Sequence, residues 1–596
     1  MTIATGAEHV RWDLTLLYPP SNEYGIENDL VAARQNAAGF RSRLHGRVAE
    51  LDPGGLADAV DELQDIQEKV ESAQTFAYLD FATDTGDPGR GAFLQEITER
   101  ATAVATDIVF FELEWAAVPD ERADELLADP ALDQWRHYLT AARRYRPHLL
   151  TEPEEKVVAE KTVTGRSAWV RLFTQVTDAI TVDLDGETAT LEEALARLHV
   201  PDRKVRQAAG RAITDALKLG LPVRTYIFNT ILGDHALDDR LRRYETWIDA
   251  RHLGNEISKA TYSALVKSVV ERYDIPTRWY RLKGRLLGID DLNEHDRYAP
   301  LTTDDTEVTW DEARQTVLDA YRSFSPEMAD IAAGFFDGYI DAPPQPGKQG
   351  GAFAHPAVPS AHPYVLLNYT GRRRDVMTLA HELGHGVHQV LSNRLGLFNA
   401  STPLTLAETA SIFGETITFG RIVSEERDPR ARLALLGGRI EDIIASVFRQ
   451  IAMNRFEARI HYRRRQQGEL PPDAIGEQWL ATQRIMFGDA LTISDEYKSW
   501  WSYIPHFIHT PGYVYAYAFG NLLALAVYAR YEKEGESFVP SYLQLLSAGG
   551  SDSPDALGHL VGVDLTDPDF WNAGLQVVDE LVSEAEALAA AQTGSL

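Results

Sequence analysis

The segment HELGHGVHQ, residues 381–389, holds three histidines and a glutamate at helical spacing. Each residue of an α-helix advances by about 100°, so His381 and His385 lie about 40° apart, one turn from each other. Both imidazoles can therefore bind one metal ion, while Glu382 can face a water molecule on that ion. The spacing predicts a zinc hydrolase, with two histidine ligands and a glutamate base.

Catalytic zinc needs a third protein ligand and keeps one position open for water. His388 faces the same way as His381 but lies two turns along the helix. We therefore predict that His388 packs against the site or supports a ligand. Leu391 stands where the metzincin pattern has its third histidine, so the sequence does not fit that class.

Two glutamates that follow the motif are candidates for the third ligand. Residues 401–420, STPLTLAETASIFGETITFG, are typical of a second helix, and Glu408 and Glu415 face the same side of it. Either could bind the metal, and the other could hydrogen-bond a ligand histidine. Alternatively, Glu408 could form a capping box with Thr405, and the two histidines could be core residues that bind no metal.

The surrounding chain reads as mostly helical, with apolar residues every three or four positions from about 25 to 175. Residues 180–190, ITVDLDGETAT, alternate around Asp-Gly and predict a short hairpin. We place a domain boundary near 200. This gives an N-terminal helical domain, residues 1–200, and a catalytic domain, residues 201–596.

A short strand is predicted directly before the helix that carries the motif. Residues 364–370, YVLLNYT, alternate as a strand does, and Asp375 is a candidate N-cap for the helix. The strand and the cap together would fix where the motif begins.

Composition excludes several functions. There is no cysteine, so disulfides, thiolate metal sites and cysteine nucleophiles are absent. The net charge of -31 would repel phosphate backbones and anionic lipids, which argues against nucleic-acid and membrane partners. We see no signal peptide and no apolar run of about 18 residues, and therefore expect a cytoplasmic protein.

On these motifs the sequence resembles the thimet oligopeptidase and oligoendopeptidase F group of zinc peptidases. HELGH, followed three residues later by His388, matches the family motif. ETASIFGE, residues 408–415, matches the pattern Glu-x-x-Ser-x-x-x-Glu, which implies that Glu408 is the third ligand and Glu415 its support. RWDLTLLYPP, near the start, and PHFIHTPGYVYAYAFG, near the end, resemble the oligoendopeptidase F branch. The resemblance thus covers essentially the whole chain.

The resemblance implies that a histidine and a tyrosine of the late aromatic segment bind the substrate carbonyl oxygen. Tyr513 matches the tyrosine, and the histidine is His506 or His509, of which His506 better fits the oligoendopeptidase branch.

A further tyrosine of the thimet pattern falls on Gly520 in this sequence. Tyr517 or Tyr515 would then take its place in binding substrate. The alternative is that these tyrosines belong to an aromatic core stripe.

The implied fold is a mostly α, two-lobed helical zincin with a deep central substrate channel and a small β-sheet near the metal site. The strand YVLLNYT would be the sheet edge along which an extended peptide pairs its backbone. Gly350 and Gly351 would lie in a loop beside the bound peptide.

We therefore expect a zinc-dependent oligoendopeptidase with one Zn²⁺ per chain. It would hydrolyse internal bonds of oligopeptides by attack of a metal-bound water, with Glu382 as general base. One alternative is a dipeptidyl carboxypeptidase of the same architecture. Another is a non-catalytic helical peptide-binding protein, although structural zinc usually has four protein ligands and only three are evident here.

Overall fold

The structure is a computed structural model that describes residues 5–19, 25–301 and 306–593. Helices make up 73% of the structure, which confirms the predicted mostly helical fold. In the first half of the chain the helices are α1 (Gly25–Leu44), α2 (Pro53–Thr83), α3 (Pro88–Ile108), α4 (Phe110–Ala117), α5 (Asp120–Leu127), α6 (Arg136–Arg144), α7 (Glu152–Thr164), α8 (Arg166–Asp178), α9 (Leu191–Ala196), α10 (Arg203–Leu219), α11 (Leu221–Leu241), α12 (Asp249–Gly254), α13 (Lys259–Glu271) and α14 (Asp274–Leu287).

The second half of the chain supplies the helix that carries the motif, α17, and the helix that follows it in space, α19. The helices here are α15 (Trp310–Phe324), α16 (Pro326–Gly334), α17 (Arg373–Ser392), α18 (Leu397–Ala400), α19 (Leu404–Glu425), α20 (Pro429–Ile443), α21 (Arg449–Gln467), α22 (Pro472–Phe487), α23 (His506–His509), α24 (Tyr515–Glu534), α25 (Val539–Ser547), α26 (Pro554–Gly558) and α27 (Pro568–Thr593). A π-helical turn, Ile444–Phe448, joins α20 to α21.

The described strands form two small sheets. β1 (Thr181–Leu184) and β2 (Glu187–Thr190) pair antiparallel around Asp185 and Gly186, which both have positive φ. This confirms the predicted hairpin. β3 (Ile340–Asp341), β4 (Phe353–His355) and β5 (Tyr364–Leu366) form the second sheet, in the order β3-β5-β4.

Two local predictions beside α17 were wrong. The strand of YVLLNYT is β5, which lies in the middle of its sheet, parallel to β3 and antiparallel to β4, so it is not an edge. The edge strand that contacts α17 is β4, whose carbonyl oxygen at Ala354 accepts a hydrogen bond from Gln389 at 3.4 Å. Asp375 is not the N-cap: α17 begins at Arg373, and the Asp375 carboxylate accepts from the backbone N of Arg372 at 3.1 Å.

The chain forms two compact units, each built from three segments. The first unit comprises Met1–Arg146, Asp305–Ile422 and Arg530–Val563. One of its cores lies among α1 to α6, where Phe40, Phe111 and Trp115 are buried. The indole N–H of Trp115 donates to the carbonyl of Leu139 at 2.8 Å, so this large side chain is buried with its polar atom bonded.

The second unit comprises Pro147–Asp304, Val423–Ala529 and Asp564–Leu596. Trp279, Trp479 and Trp571 are fully buried in it. α27 packs against α13, α14 and α20 within this unit. The predicted boundary near residue 200 lies within its first segment and stays a prediction.

Among the described residues, no helix combines the length and the apolarity that a membrane span requires. This finding concerns helices only.

Candidate metal centre

The first two histidines of the motif lie one turn apart on α17 and face the same carboxylate on α19. Nε2 of His381 lies 3.4 Å from Oε2 of Glu408, and Nε2 of His385 lies 3.5 Å from the same oxygen. One potential ligand atom from each of these three residues lies within 4.8 Å of the other two. The structure therefore gathers His381, His385 and Glu408 around a single point.

Glu415 lies on the other side of the His381 ring. Its Oε2 is 3.3 Å from Nδ1 of His381, whereas Glu408 faces Nε2. The hydroxyl of Ser411 donates to Glu408 at 2.8 Å and so holds that carboxylate. This arrangement fits Glu408 as a metal ligand and Glu415 as the partner that orients His381.

The capping-box alternative for Glu408 is not what the structure forms. α19 begins at Leu404, so Thr405 lies inside the helix rather than at its N-cap. Among the residues described, the buried hydroxyl of Thr405 has no hydrogen-bond partner. Glu408 therefore has no capping role.

The chemistry of these donors fits a divalent transition metal such as zinc, which prefers imidazole nitrogen and carboxylate oxygen. Burial lowers the pKa of His381, but Glu415, Glu408 and Glu382 together raise it to about 9. Burial lowers the pKa of His385, with Glu408 opposing this effect. The surrounding carboxylates thus favour positive charge at this point, and a bound cation would supply that charge once both imidazoles are neutral, as metal binding requires.

Glu382 lies beside the cluster with only 7% of its surface exposed. Burial raises the pKa of this carboxyl group to about 7, against the lowering effects of His381 and of a hydrogen bond from the backbone of Ala354 in β4. A group with a pKa near neutrality can both accept and return a proton. Its position and its pKa suit a general base.

Gly384 allows α17 and α19 to come close together. A Cβ atom at this position would lie 2.5 Å from the carbonyl oxygen of Ala410 and 2.6 Å from Cα of Ser411. Both of these are backbone atoms of α19, which cannot move aside as a side chain can. The glycine of HELGH is therefore required for the approach that brings Glu408 to the histidines.

We expect Gly384→Ala to lower the free energy of unfolding by about 1–3 kcal/mol, because the added methyl group overpacks a helix contact. Zinc affinity should fall as well, since Glu408 moves away with α19. Differential scanning calorimetry and metal titration measure the two effects. Gly438→Ala is the control: nothing lies within 4 Å of its added Cβ, so this exposed helical site should gain about 0.5–1 kcal/mol. Equal effects of the two substitutions would contradict the packing argument.

Tyr321 of α15 contacts both α17 and α19. Its hydroxyl donates to the carbonyl of Ala380, directly before the motif. Gly414 of α19 leaves room for this ring, because a Cβ there would lie 2.2 Å from the hydroxyl oxygen. Tyr321 is distant in sequence and belongs to no motif, so no sequence pattern indicates this role.

His388 is not among the three residues whose ligand atoms converge. It is buried, with 6% of its surface exposed, and it lines a cavity that His385 also lines. Burial, together with His385, lowers the pKa of His388 to about 4, so its imidazole is neutral. The structure places this histidine beside the cluster of three and outside it.

The late aromatic segment forms a second cluster, which lies in the second unit. Nε2 of His506 lies 3.2 Å from the hydroxyl of Tyr517. The ring of His506 is 6.0 Å from that of Tyr513, and the rings of Tyr513 and Tyr517 are 5.1 Å apart. The structure thus brings together three of the predicted substrate-binding residues.

His509 and Tyr515 lie apart from this cluster. Nε2 of His509 is 3.3 Å from the Thr174 hydroxyl of α8, and the His509 side chain is exposed. Tyr515 is fully buried, and Asn255 donates to its hydroxyl at 2.9 Å. Tyr515 therefore belongs to the core.

Glu457 fixes the turn that precedes Tyr513. Its buried carboxylate accepts a hydrogen bond from the backbone N of Gly512 at 2.9 Å, and Gly512 has a φ of 75°. Burial raises the pKa of Glu457 to about 8. The guanidinium of Arg251 lies 5.9 Å from the centre of the Tyr513 ring. Neither Glu457 nor Arg251 was identified from the sequence, because no local pattern links them to the turn.

Gly350 and Gly351 lie in the loop directly before β4. The side-chain amide of Asn368 donates to the carbonyl of Gly351 at 2.8 Å and to that of Gln349 at 3.0 Å. A Cβ at either glycine would meet no atom within 4 Å. The loop is thus tied down at one point and open around its glycines.

Comparison with known proteins identifies two family profiles along the chain. The profile of peptidase family M3 matches residues 196–577, which is more than half of the sequence. The oligopeptidase F profile matches residues 114–181. The metal cluster, Glu382 and the late aromatic cluster all lie within the first of these matches.

Several relatives are similar over nearly their whole length. The chain is 28% identical over 561 residues to oligopeptidase PepF of Bacillus subtilis, covering 90% of this chain and 82% of that protein. It is 25% identical over 600 residues to group B oligopeptidase PepB of Streptococcus agalactiae, covering 98% of each. Among solved structures, one from Chlamydophila abortus, described as a candidate peptidase, superposes with a TM-score of 0.87 at 24% identity. That superposition covers 97% of this chain and 98% of the other and shows that the fold is shared.

Proposed function

Because the chain belongs to peptidase family M3 and is a metallo-oligopeptidase, we propose that it is a zinc-dependent oligoendopeptidase acting on internal bonds of short peptides. The observation that carries this proposal is the convergence of His381, His385 and Glu408, with ligand atoms within 4.8 Å of one another. The relatives named oligopeptidase support the substrate class.

His381, His385 and Glu408 would hold one zinc ion per chain, with Glu415 orienting His381 through its Nδ1 atom. Three protein ligands leave a position open, as catalytic zinc sites do. A zinc ion held there supplies Lewis acidity, which polarises a carbonyl group and makes water a stronger nucleophile at neutral pH. His388 is not a ligand in this assignment.

Glu382 is the general base of the proposed reaction. Its carboxylate takes a proton from the water that attacks the peptide carbonyl carbon and then delivers that proton to the departing amine. Burial keeps bulk water away from Glu382 and raises its pKa to about 7. Both properties favour proton transfer from water to Glu382 and from Glu382 to the departing amine.

Tyr513 and His506 would stabilise the carbonyl oxygen as it gains negative charge. The Tyr513 hydroxyl and a ring N–H of His506 are hydrogen-bond donors, and oriented donors are worth more to the transition state than to the ground state. The contact between His506 and Tyr517 holds the His506 ring in place. His509 bonds to α8 instead, which favours His506 for this role.

β4 is the strand that an extended substrate could pair with, in place of β5. It is an edge strand, and its Ala354 backbone already contacts Glu382. A peptide laid along β4 would bring a backbone carbonyl close to the base. Gly350 and Gly351, in the loop before β4, would give that peptide room to enter.

Replacement of Tyr513 by Phe should lower kcat by about 10²-fold, because one oxyanion donor is lost. The zinc content should not change. Initial rates on a short fluorogenic peptide, with metal analysis of the same sample, check both statements. The matched control is Tyr226→Phe, an exposed tyrosine of the same unit, which should keep wild-type kcat. If Tyr513→Phe keeps the wild-type kcat, Tyr513 takes no part in the reaction.

The position of cleavage distinguishes the endopeptidase from a dipeptidyl carboxypeptidase. A peptide acetylated at its N-terminus and amidated at its C-terminus should be cut at an internal bond. Mass spectrometry identifies the products. Cleavage that occurs only when the C-terminal carboxylate is free, and that releases dipeptides, would support the carboxypeptidase instead. The absence of hydrolysis with zinc bound would support a peptide-binding protein.

A further inference from the structure

A cavity of about 510 Å³ lies in the first unit beside the proposed metal centre. His385, His388 and Gln389 of α17 line it together with Glu71 of α2 and Tyr138 of α6. Its volume falls within the range of about 300–1,000 Å³ that is typical of ligand pockets. Since His385 is shared between the cavity and the metal cluster, a ligand in the cavity lies next to the reacting bond.

Two hydrogen-bonding groups in the cavity wall are unsatisfied. His388 is more than nine-tenths buried, and within the described ranges its imidazole makes no hydrogen bond. Gln389 donates from its amide nitrogen to the carbonyl of Ala354, while its buried Oε1 has no hydrogen-bond partner among the residues that the structure describes. Buried polar groups are normally bonded, so unpaired ones that line a cavity point to a ligand with donors.

The cavity also carries uncompensated negative charge. Glu71 is partly buried, and burial and the nearby carboxylate of Glu68 raise its pKa. No basic side chain of the described residues forms an ion pair with Glu71. Glu112, a second carboxylate in the wall, accepts a hydrogen bond from the neutral hydroxyl of Tyr138 at 2.8 Å. A cation in the cavity would offset the cost of burying Glu71.

We propose that this cavity is the subsite for a lysine or arginine side chain of the substrate, with Glu71 as its charge partner and Gln389 and His388 as hydrogen-bond acceptors. The inference rests on the proposed peptidase function, which places a peptide beside His385. It adds a preference that the metal centre does not determine: cleavage next to a basic residue. The unpaired negative charge of Glu71 selects against acidic side chains at the same position.

Matched peptides test this directly. A single arginine is moved through every position of a peptide blocked at both ends, and each peptide is paired with its citrulline counterpart, which has the same shape without the charge. At one position close to the scissile bond, kcat/KM should be about 10- to 100-fold higher for arginine than for citrulline, as expected for a charge-assisted hydrogen bond. Glu71→Gln should bring that ratio close to one.

The control variant is Asp65→Asn, an exposed acidic residue of α2 that does not line the cavity. It should keep the wild-type ratio. A wild-type ratio near one at every position would overturn the subsite while leaving the peptidase intact, since both peptides would still be cut. A ratio that survives Glu71→Gln would overturn the role of Glu71. If neither peptide is cut, the proposed function fails, and the subsite fails with it.

Discussion

Glu382→Gln will lower kcat by about 10²–10⁴-fold, the range typical of a lost general base. Glutamine has nearly the same shape but cannot accept a proton from water. Bound zinc should remain stoichiometric, because Glu382 is not among the three residues that converge on the metal position. Stopped assays on a blocked fluorogenic peptide and metal analysis of the same preparation measure both quantities.

The same substitution should leave thermal stability unchanged or raise it slightly. Burial raises the pKa of Glu382, which means that its ionised form is disfavoured in the folded protein and that a neutral amide removes this cost. Glu327→Gln, at an exposed position of α16, is the matched control and should keep full activity. If Glu382→Gln turns over peptide at the wild-type rate with zinc in place, another residue is the base.

Removal of one proposed ligand will abolish activity through loss of the metal. We expect Glu408→Gln and His385→Ala each to weaken zinc binding by more than the approximately 10- to 100-fold that is typical of losing a supporting hydrogen bond. Their activity at low zinc should be undetectable. Competition with a zinc-binding dye gives the affinities, and circular dichroism confirms that the helices persist.

Substitutions at two neighbouring residues should have smaller effects on zinc binding. Glu415→Gln should weaken zinc binding by about 10- to 100-fold, because it loses the negative partner at Nδ1 of His381. His388→Asn should retain one zinc per chain, since His388 is not among the three residues whose ligand atoms converge. Loss of zinc in His388→Asn with full retention in Glu408→Gln would reverse the assignment of the third ligand.

The geometry around the motif could be predicted because it depends on local helical phase. Four residues complete about one turn, so His381 and His385 had to face one way whatever the tertiary structure. The Asp-Gly hairpin is likewise set by the conformation of two residues, Asp185 and Gly186. Family resemblance implied that Glu408, not Glu415, is the third ligand. The structure gives a physical reason, because Glu408 faces Nε2 of His381 and Glu415 faces Nδ1.

Other features near the motif depend on tertiary packing, which local sequence patterns do not predict. The backbone contact between Gly384 and α19 involves residues more than twenty positions apart, so the spacing of the motif carries no trace of it. Strand order depends on the path of the intervening loops, which is why β5 was expected at an edge and lies in the centre. A three-residue strand is too short for its hydrophobic pattern to separate the two cases.

The choice between His506 and His509 also depends on long-range contacts. Phe507 packs against Phe456 and Trp479, with ring centres 5.1 and 6.3 Å apart, and this anchors the short helix α23. His506 then lies with Tyr513 and Tyr517, while His509 faces α8. Both histidines precede the same turn, so spacing alone left them equivalent.

Zinc titration of the metal-free chain tests the central proposal most directly. A chelator is used to strip the protein, and peptidase activity on a doubly blocked peptide is followed as zinc is added back. We predict no activity without metal and a linear rise that ends at one zinc per chain, with Glu408→Gln failing to respond at the same concentrations. Full activity in the stripped protein, or an unaltered titration in Glu408→Gln, would contradict a catalytic zinc held by His381, His385 and Glu408.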